Sequence, residues 1–158
     1  MRVTGVERVE DPSGRPRGLW HIEMSQNYRH AVGFSESFYR GLEQGTLRAT
    51  RCHTCGRSWF PPRRFCDTDL KETGWYNLPG TGSVVAATRG HSPPPFGGIE
   101  APYILASMSL DGVEGGITHR VLGDEKPVKD TVVKATFVED EPAHPLLRVA
   151  FAIVKESQ

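Results

Sequence analysis

The sequence predicts a mainly β chain: one short helix, a knuckled β-module and a small closed barrel. Three observations carry that prediction. All three cysteines fall in one segment, as Cys52-His-Thr-Cys55 and Cys66-Asp-Thr-Asp69. From Thr73 onward, short β-forming runs are separated by Gly- and Pro-bearing turns. The 17 Gly and 12 Pro among 158 residues also imply more turns than a helical bundle tolerates.

Residues 1–33 read as an arm without its own core. They are polar and mixed in charge, broken by Asp11-Pro12-Ser13-Gly14 and Arg15-Pro16-Arg17. Val3, Val6, Val9, Leu19, Trp20 and Ile22 are scattered through them. Two readings stand side by side: a disordered tail, or a segment that orders against a partner with Trp20 as anchor.

A short amphipathic helix is expected over 34–46. Ser35 is its N-cap, Phe38 and Leu42 share a face four residues apart, and Gly45 stops it. That aromatic face reads as packing rather than as a ligand box.

Residues 47–78 form the knuckled module. Leu47–Cys52 leads in as a strand and Ser58–Phe60 returns, after which Pro61-Pro62 forces an extended path to Cys66. Two thiols two residues apart grip one ion from a tight knuckle, and a second knuckle closes a tetrahedron, the geometry zinc prefers. Cys52, Cys55 and Cys66 are three ligands, and Asp69 stands where a fourth cysteine would be expected. Asp67 and Glu72 are alternative carboxylates, and His53 is expected at the surface. A disulfide plus a spare thiol fits poorly, because the cysteine count is odd and the N-terminus does not resemble a signal peptide. A metal-free knuckle held by packing is the remaining alternative. Four protein ligands leave no open position, so such a zinc would be structural.

Residues 79–158 carry the barrel. Strands are expected at 73–78, 83–89, 103–110, 116–122, 131–138 and 146–154, with Asp111-Gly112 as a hairpin turn. The last five fit a Greek-key barrel of OB type. The loop 91–98, with three prolines and Phe96, reads as stiff and protruding.

Lys+Arg and Asp+Glu are both 19, so the net charge is zero, which argues against a nucleic-acid backbone as main partner. No run is apolar enough to cross a bilayer. Reduced thiols without an export signal imply the cytoplasm. Catalytic machinery is not evident: there is no Gly-x-Ser-x-Gly elbow, Walker loop or dinucleotide fingerprint. His91, His119 and His144 read as ordinary surface or satisfied histidines.

Taken together, Cys52-His-Thr-Cys55-Gly56, Phe60-Pro-Pro-Arg63 and Gly80-Thr-Gly-Ser83, in that order after a Gly-ended helix, resemble the zinc-ribbon plus OB-fold family catalogued as domain of unknown function 35. The resemblance covers roughly residues 34–156 and departs at Asp69, where the family often has Cys. It implies an N-terminal helix, a rubredoxin-like zinc ribbon and a C-terminal OB-fold barrel. It further implies a non-catalytic accessory subunit of a thiolase-like acyl-CoA enzyme, with Zn2+ as cofactor and acyl-CoA as a ligand shared with the partner in a hetero-oligomer. Aromatic-compound degradation is among the settings it suggests. Arg57, Arg63 and Arg64 beside Trp59 and Phe60 would supply the charged and stacking contacts to coenzyme A. The alternative is a zinc-ribbon/OB module that binds single-stranded nucleic acid by stacking.

Overall fold

The computed structural model describes residues 2–25, 29, 31–94, 99–138 and 144–154. They divide into two compact units, 1–31 and 32–158.

In the first unit, β1 (Arg2–Glu10) and β2 (Pro16–Glu23) pair as an antiparallel hairpin. Its turn is built on Asp11, whose carboxylate accepts from the Ser13 and Arg15 backbone N–H groups and from the Arg17 guanidinium. Every residue of β2 is exposed. The arm is therefore a formed ribbon of backbone pairs, with no core of its own among the described residues.

In the second unit a 3-10 turn, Gly33–Ser35, runs into α1 (Glu36–Glu43). Ser35 sits at the N-cap with helical dihedrals, and its hydroxyl makes no capping bond. The preceding turn already carries the chain into the helix, which removes the need for one. The C-terminal stop is as expected. Gly45 takes φ +67°, and the Gly45 and Thr46 N–H groups bond back to the Leu42 and Gly41 carbonyls. That double bond pattern is the Schellman closure, which a residue without Cβ adopts most easily. Phe38 and Leu42 are buried, and Phe38 meets Phe60 edge-on at 5.9 Å.

The knuckled module hangs on a three-stranded sheet in the order β4 (Ser58–Trp59), β3 (Leu47–Arg51), β5 (Gly74–Leu78). The barrel then closes from β6 (Thr81–Gly90), β7 (Tyr103–Leu110), β8 (Gly116–Leu122), β9 (Val132–Phe137) and β10 (Val149–Ile153). Around the barrel the order is β10-β8-β7-β6-β9, with β10 parallel to β8 and its other pairings antiparallel. This is the five-stranded OB arrangement. Its interior holds Val84, Ile104, Met108, Val121, Val133 and Phe151, each at most 3 % exposed.

Two expectations need correction. The last strand begins at Val149, not Leu146. Pro145–Arg148 winds as a 3-10 turn, started by Pro145 and capped by His144, whose ring accepts from the Leu146 N–H. The β7–β8 connection is also longer than a two-residue hairpin turn, running from Asp111 to Gly115, with Gly112 and Gly115 both at positive φ. In the loop 91–98, Phe96 lies outside the described residues.

Candidate metal centre

The module contains the same turn twice. In the first, the Cys52 N–H donates to the Arg57 carbonyl and the Gly56 N–H donates to the Cys52 carbonyl. In the second, the Cys66 N–H donates to the Lys71 carbonyl and the Leu70 N–H donates to the Cys66 carbonyl. Gly56 and Leu70, each four residues after the leading cysteine, both take positive φ, +74° and +57°. The Thr54 and Thr68 N–H groups each donate to the leading sulfur of their own knuckle at 3.4 Å. By this register Asp69 is the counterpart of Cys55.

The side chains cross-link in the same symmetry. Arg57, at the end of the first knuckle, reaches the Thr68 hydroxyl of the second at 3.0 Å. Lys71, at the end of the second, places its Nζ 3.2 Å from the Thr54 hydroxyl of the first.

These turns converge three thiols and bring one carboxylate beside them. The Cys52, Cys55 and Cys66 sulfurs lie within 4.8 Å of one another. Cys55 Sγ is 3.7 Å from Cys66 Sγ, and Cys52 Sγ is 3.5 Å from Asp69 Oδ2. Bonds of about 2.3 Å to sulfur and about 2.1 Å to oxygen at tetrahedral angles put S···S edges near 3.8 Å and S···O edges near 3.6 Å. The two measured separations match opposite edges of a zinc tetrahedron, and the three thiols fit the ion.

The electrostatics favour the anionic form at Cys52 and Asp69 but not at Cys55. The Cys55 N–H, above all, holds the Cys52 thiol below its ordinary range, against the opposing effect of burial. The Lys71 N–H does the same for the Asp69 carboxyl. For Cys55, a bond from the Arg57 N–H lowers the pKa. Burial and the adjoining thiols outweigh it and leave the group raised. Three sulfurs this close resist ionising together unless a cation sits among them.

The alternative carboxylates are committed elsewhere. Asp67 is held by Arg57 at 2.5 Å and by Arg63 at 3.5 Å. Glu72 pairs with Arg64 at 2.9 Å. His53 is outside the donor cluster, with its ring over Gly74. Among the carboxylates weighed, the one brought to the sulfurs is Asp69.

The residues expected to contact coenzyme A are placed otherwise. Trp59 and Phe60 are each 3 % exposed and offer no stacking face. Trp59 lies with Cys52 and Cys66 in one buried cluster, and the Arg57 and Arg63 guanidinium groups stack within 5.6 and 6.0 Å of its ring. Phe60 belongs to the main core. The planar fork of Arg57 binds both oxygens of Glu114, from the β7–β8 connection, at 2.5–2.9 Å. That contact holds the Glu114 carboxyl below its ordinary range. The Glu114 N–H also bonds the Ser58 carbonyl at 2.7 Å, so the connection is laced to the knuckled sheet. Arg63 and Arg64 keep more than half of their side-chain surface in solvent. Glu114 was absent from the sequence reading, because only the fold brings it 57 residues back to Arg57.

His119 is held in structural hydrogen bonds. His119 donates from Nε2 to the Leu146 carbonyl at 3.0 Å, and its Nδ1 accepts the Arg120 N–H at 2.9 Å. Burial pulls its pKa down, so the ring is held neutral.

Two family models match the chain: the rubredoxin-like zinc ribbon domain of ChsH2 over residues 40–71, and the C-terminal OB-fold domain of ChsH2 over residues 75–138. Together they span more than half of its length. The chain belongs to this zinc-ribbon and OB-fold family. Two solved structures share the family's architecture. One is described as an Ltp2-ChsH2(DUF35) aldolase: it is 22% identical with a TM-score of 0.64, and the match covers 79% of this chain and 98% of that one. The other, a DUF35-family protein of unknown function from Sulfolobus solfataricus, is 20% identical with a TM-score of 0.55, covering 77% and 87%. The hairpin β1–β2 lies outside both family matches.

Proposed function

We propose that this chain is a non-catalytic accessory subunit that docks on a larger acyl-CoA-processing enzyme and helps to hold or channel its acyl-CoA. The observation that carries the reading is the donor set at the knuckles. Cys52, Cys55 and Cys66 lie together, Asp69 taken as the fourth ligand would close the site, and a closed site is structural. The metal then fixes the ribbon, and the chemistry belongs to a partner chain. Family membership supports the reading. So does the description of one solved relative, in which a ChsH2 protein is paired with Ltp2 as an aldolase.

In its finer form the partner is thiolase-like and the pathway is aromatic-compound degradation. By overall look, extended N-terminus included, the chain resembles the small subunit of a benzoylsuccinyl-CoA thiolase. Arg63 and Arg64, the two solvent-facing arginines beside the ribbon, are the residues proposed to meet coenzyme A phosphates.

The test is purification of the tagged full chain from its own cells, followed by identification and recombinant expression of what accompanies it. A stoichiometric acyl-CoA enzyme subunit is expected, with activity that falls when this chain is withheld. Full activity of that subunit alone would overturn the reading. A salt-dependent shift of the isolated chain with single-stranded DNA would favour the nucleic-acid alternative.

A further inference from the structure

We infer that the hairpin β1–β2 is a docking element whose apolar face seats in an apolar groove, edged by a carboxylate, on the partner subunit. The inference rests on the accessory-subunit reading and adds the surface that would make the contact.

The face is built by register. Val3 pairs with Ile22 and Val6 with Trp20. Paired residues project to one side of a sheet. In a regular strand Val3 and Val6, three residues apart, would point to opposite sides. A bulge between Val3 and Gly5 inserts one extra residue and returns both valines to the same side. The irregularity therefore serves the face. The other side carries Leu19 and Val9 among polar groups, with an ion pair between His21 and Glu7 at 3.3 Å.

Within its own unit, among the described residues, that face has nothing to cover. Val3, Val6, Trp20 and Ile22 are 45 %, 57 %, 67 % and 52 % exposed. A two-stranded hairpin alone is marginal in water, and an amphipathic pattern normally has its apolar side buried.

The occupant follows from area and charge. Four such side chains offer roughly 400 Å² per copy, so two faces pressed together bury less than the ~1,200 Å² of a stable interface. A second copy is therefore a poor fit, whereas a concave groove can enclose Trp20 from several sides. Residues 2–23 carry four arginines and four carboxylates, a balance that draws the hairpin to neither anionic lipid nor nucleic acid. Arg8, paired with Gly18, lies on the apolar face itself. Among the described residues it has no ion pair. Tryptophan with a neighbouring arginine is the composition of an interface hot spot, and the arginine calls for a carboxylate opposite.

The experiment titrates the full chain and its variants against the recombinant enzyme subunit identified as above. Trp20→Ala is expected to weaken binding about thirtyfold or more. Arg8→Ala is expected to weaken it about fivefold, with a flatter salt dependence. Leu19→Ser, on the opposite side, is expected to stay within about twofold. Trp20→Ala at wild-type affinity sinks the docking surface and leaves the accessory-subunit reading intact. An equal loss for Leu19→Ser and Trp20→Ala also sinks it, since hairpin formation and not one face would then matter. Failure of the wild-type chain to bind any enzyme subunit sinks both. Sedimentation of the isolated chain is expected to show a monomer, and a dimer that Trp20→Ala abolishes would assign the face to a second copy instead.

Discussion

The two knuckles are one turn written twice with different residues. Each sets a cysteine first, a threonine third and a cation sixth: Cys52, Thr54 and Arg57 against Cys66, Thr68 and Lys71. They diverge at three places, the second being His53 in one and Asp67 in the other. The fourth position is Cys55 in one and Asp69 in the other, and the fifth is Gly56 in one and Leu70 in the other. The backbone hydrogen bonds are nonetheless the same. The turn is therefore supported from outside its weaker copy, by the reciprocal Arg57–Thr68 and Lys71–Thr54 bonds. Symmetric geometry with asymmetric chemistry means that the second knuckle leans on contacts outside itself more than the first does.

The largest break in that comparison is removal of the ion. Stripping the zinc with a chelator at neutral pH should unfold both knuckles, because donors held this close repel without a cation. Cys52→Ser should reduce bound zinc from about one per chain to near zero. Zinc content, read with the near-ultraviolet dichroism of buried Trp59, checks both. The barrel strands, closed on their own core, should keep their far-ultraviolet signal. Unchanged Trp59 dichroism after zinc loss would mean that packing alone holds the ribbon.

Next in size is the fourth ligand. Asp69→Ala should weaken zinc by roughly two orders of magnitude or more, since even outer-shell partners of a metal contribute ten- to a hundredfold. Asp69→Cys makes the two knuckles chemically alike and should bind at least as tightly as wild type. Competition against a chromophoric chelator reads both. Equal zinc affinity for Asp69→Ala and wild type would remove Asp69 from the site.

Much of this was legible in the sequence because spacing alone encodes it. Cys-x-x-Cys followed by a third cysteine located the site, and the fourteen-residue offset between Cys52 and Cys66 carries the repeated threonine and cation as well. Period-two patterning gave β7 and β8 their bounds, since each strand turns one side to the barrel core. What failed were properties of long-range packing. Trp59 and Phe60 read as a stacking face beside arginines, but the β7–β8 connection and α1 fold over them. The contact between Arg57 and Glu114 spans 57 residues and leaves no local signal. The apolar face of the hairpin was hidden too, because a bulge breaks the alternation that would have announced it.

That long contact gives a smaller effect with a definite sign. Glu114 has its folded-state pKa below its ordinary 4.5, chiefly through the Arg57 fork. A depressed carboxylate contributes stability that is present above the unfolded value and lost as pH falls through the folded one. Glu114→Gln should therefore melt a few degrees at most below wild type at pH 7, the pair being partly exposed. The difference should shrink as the pH drops below about 4.5, where wild type also loses the charge. Acid release of zinc affects both proteins, so the difference between their melting curves isolates the pair. A gap that persists unchanged at pH 3 would assign the effect to packing instead.

The smallest expected effect concerns the fifth position. Leu70 is 76 % exposed and holds φ +57°, where its counterpart Gly56 holds +74°. A left-handed residue with a Cβ costs about 1–2 kcal/mol, and glycine removes that strain. Glycine also widens the unfolded ensemble, which costs about 0.5–1 kcal/mol. The two nearly offset, so Leu70→Gly should shift stability by no more than about 1 kcal/mol, toward greater stability. Leu70→Val sharpens the comparison, since a β-branched residue is strained further at positive φ. Denaturant melts of the zinc-loaded chain would order the three as glycine at or above leucine, with valine lowest. If valine matched leucine, the second knuckle would be relaxing out of the left-handed turn, and its likeness to the first would not survive even with the ion in place.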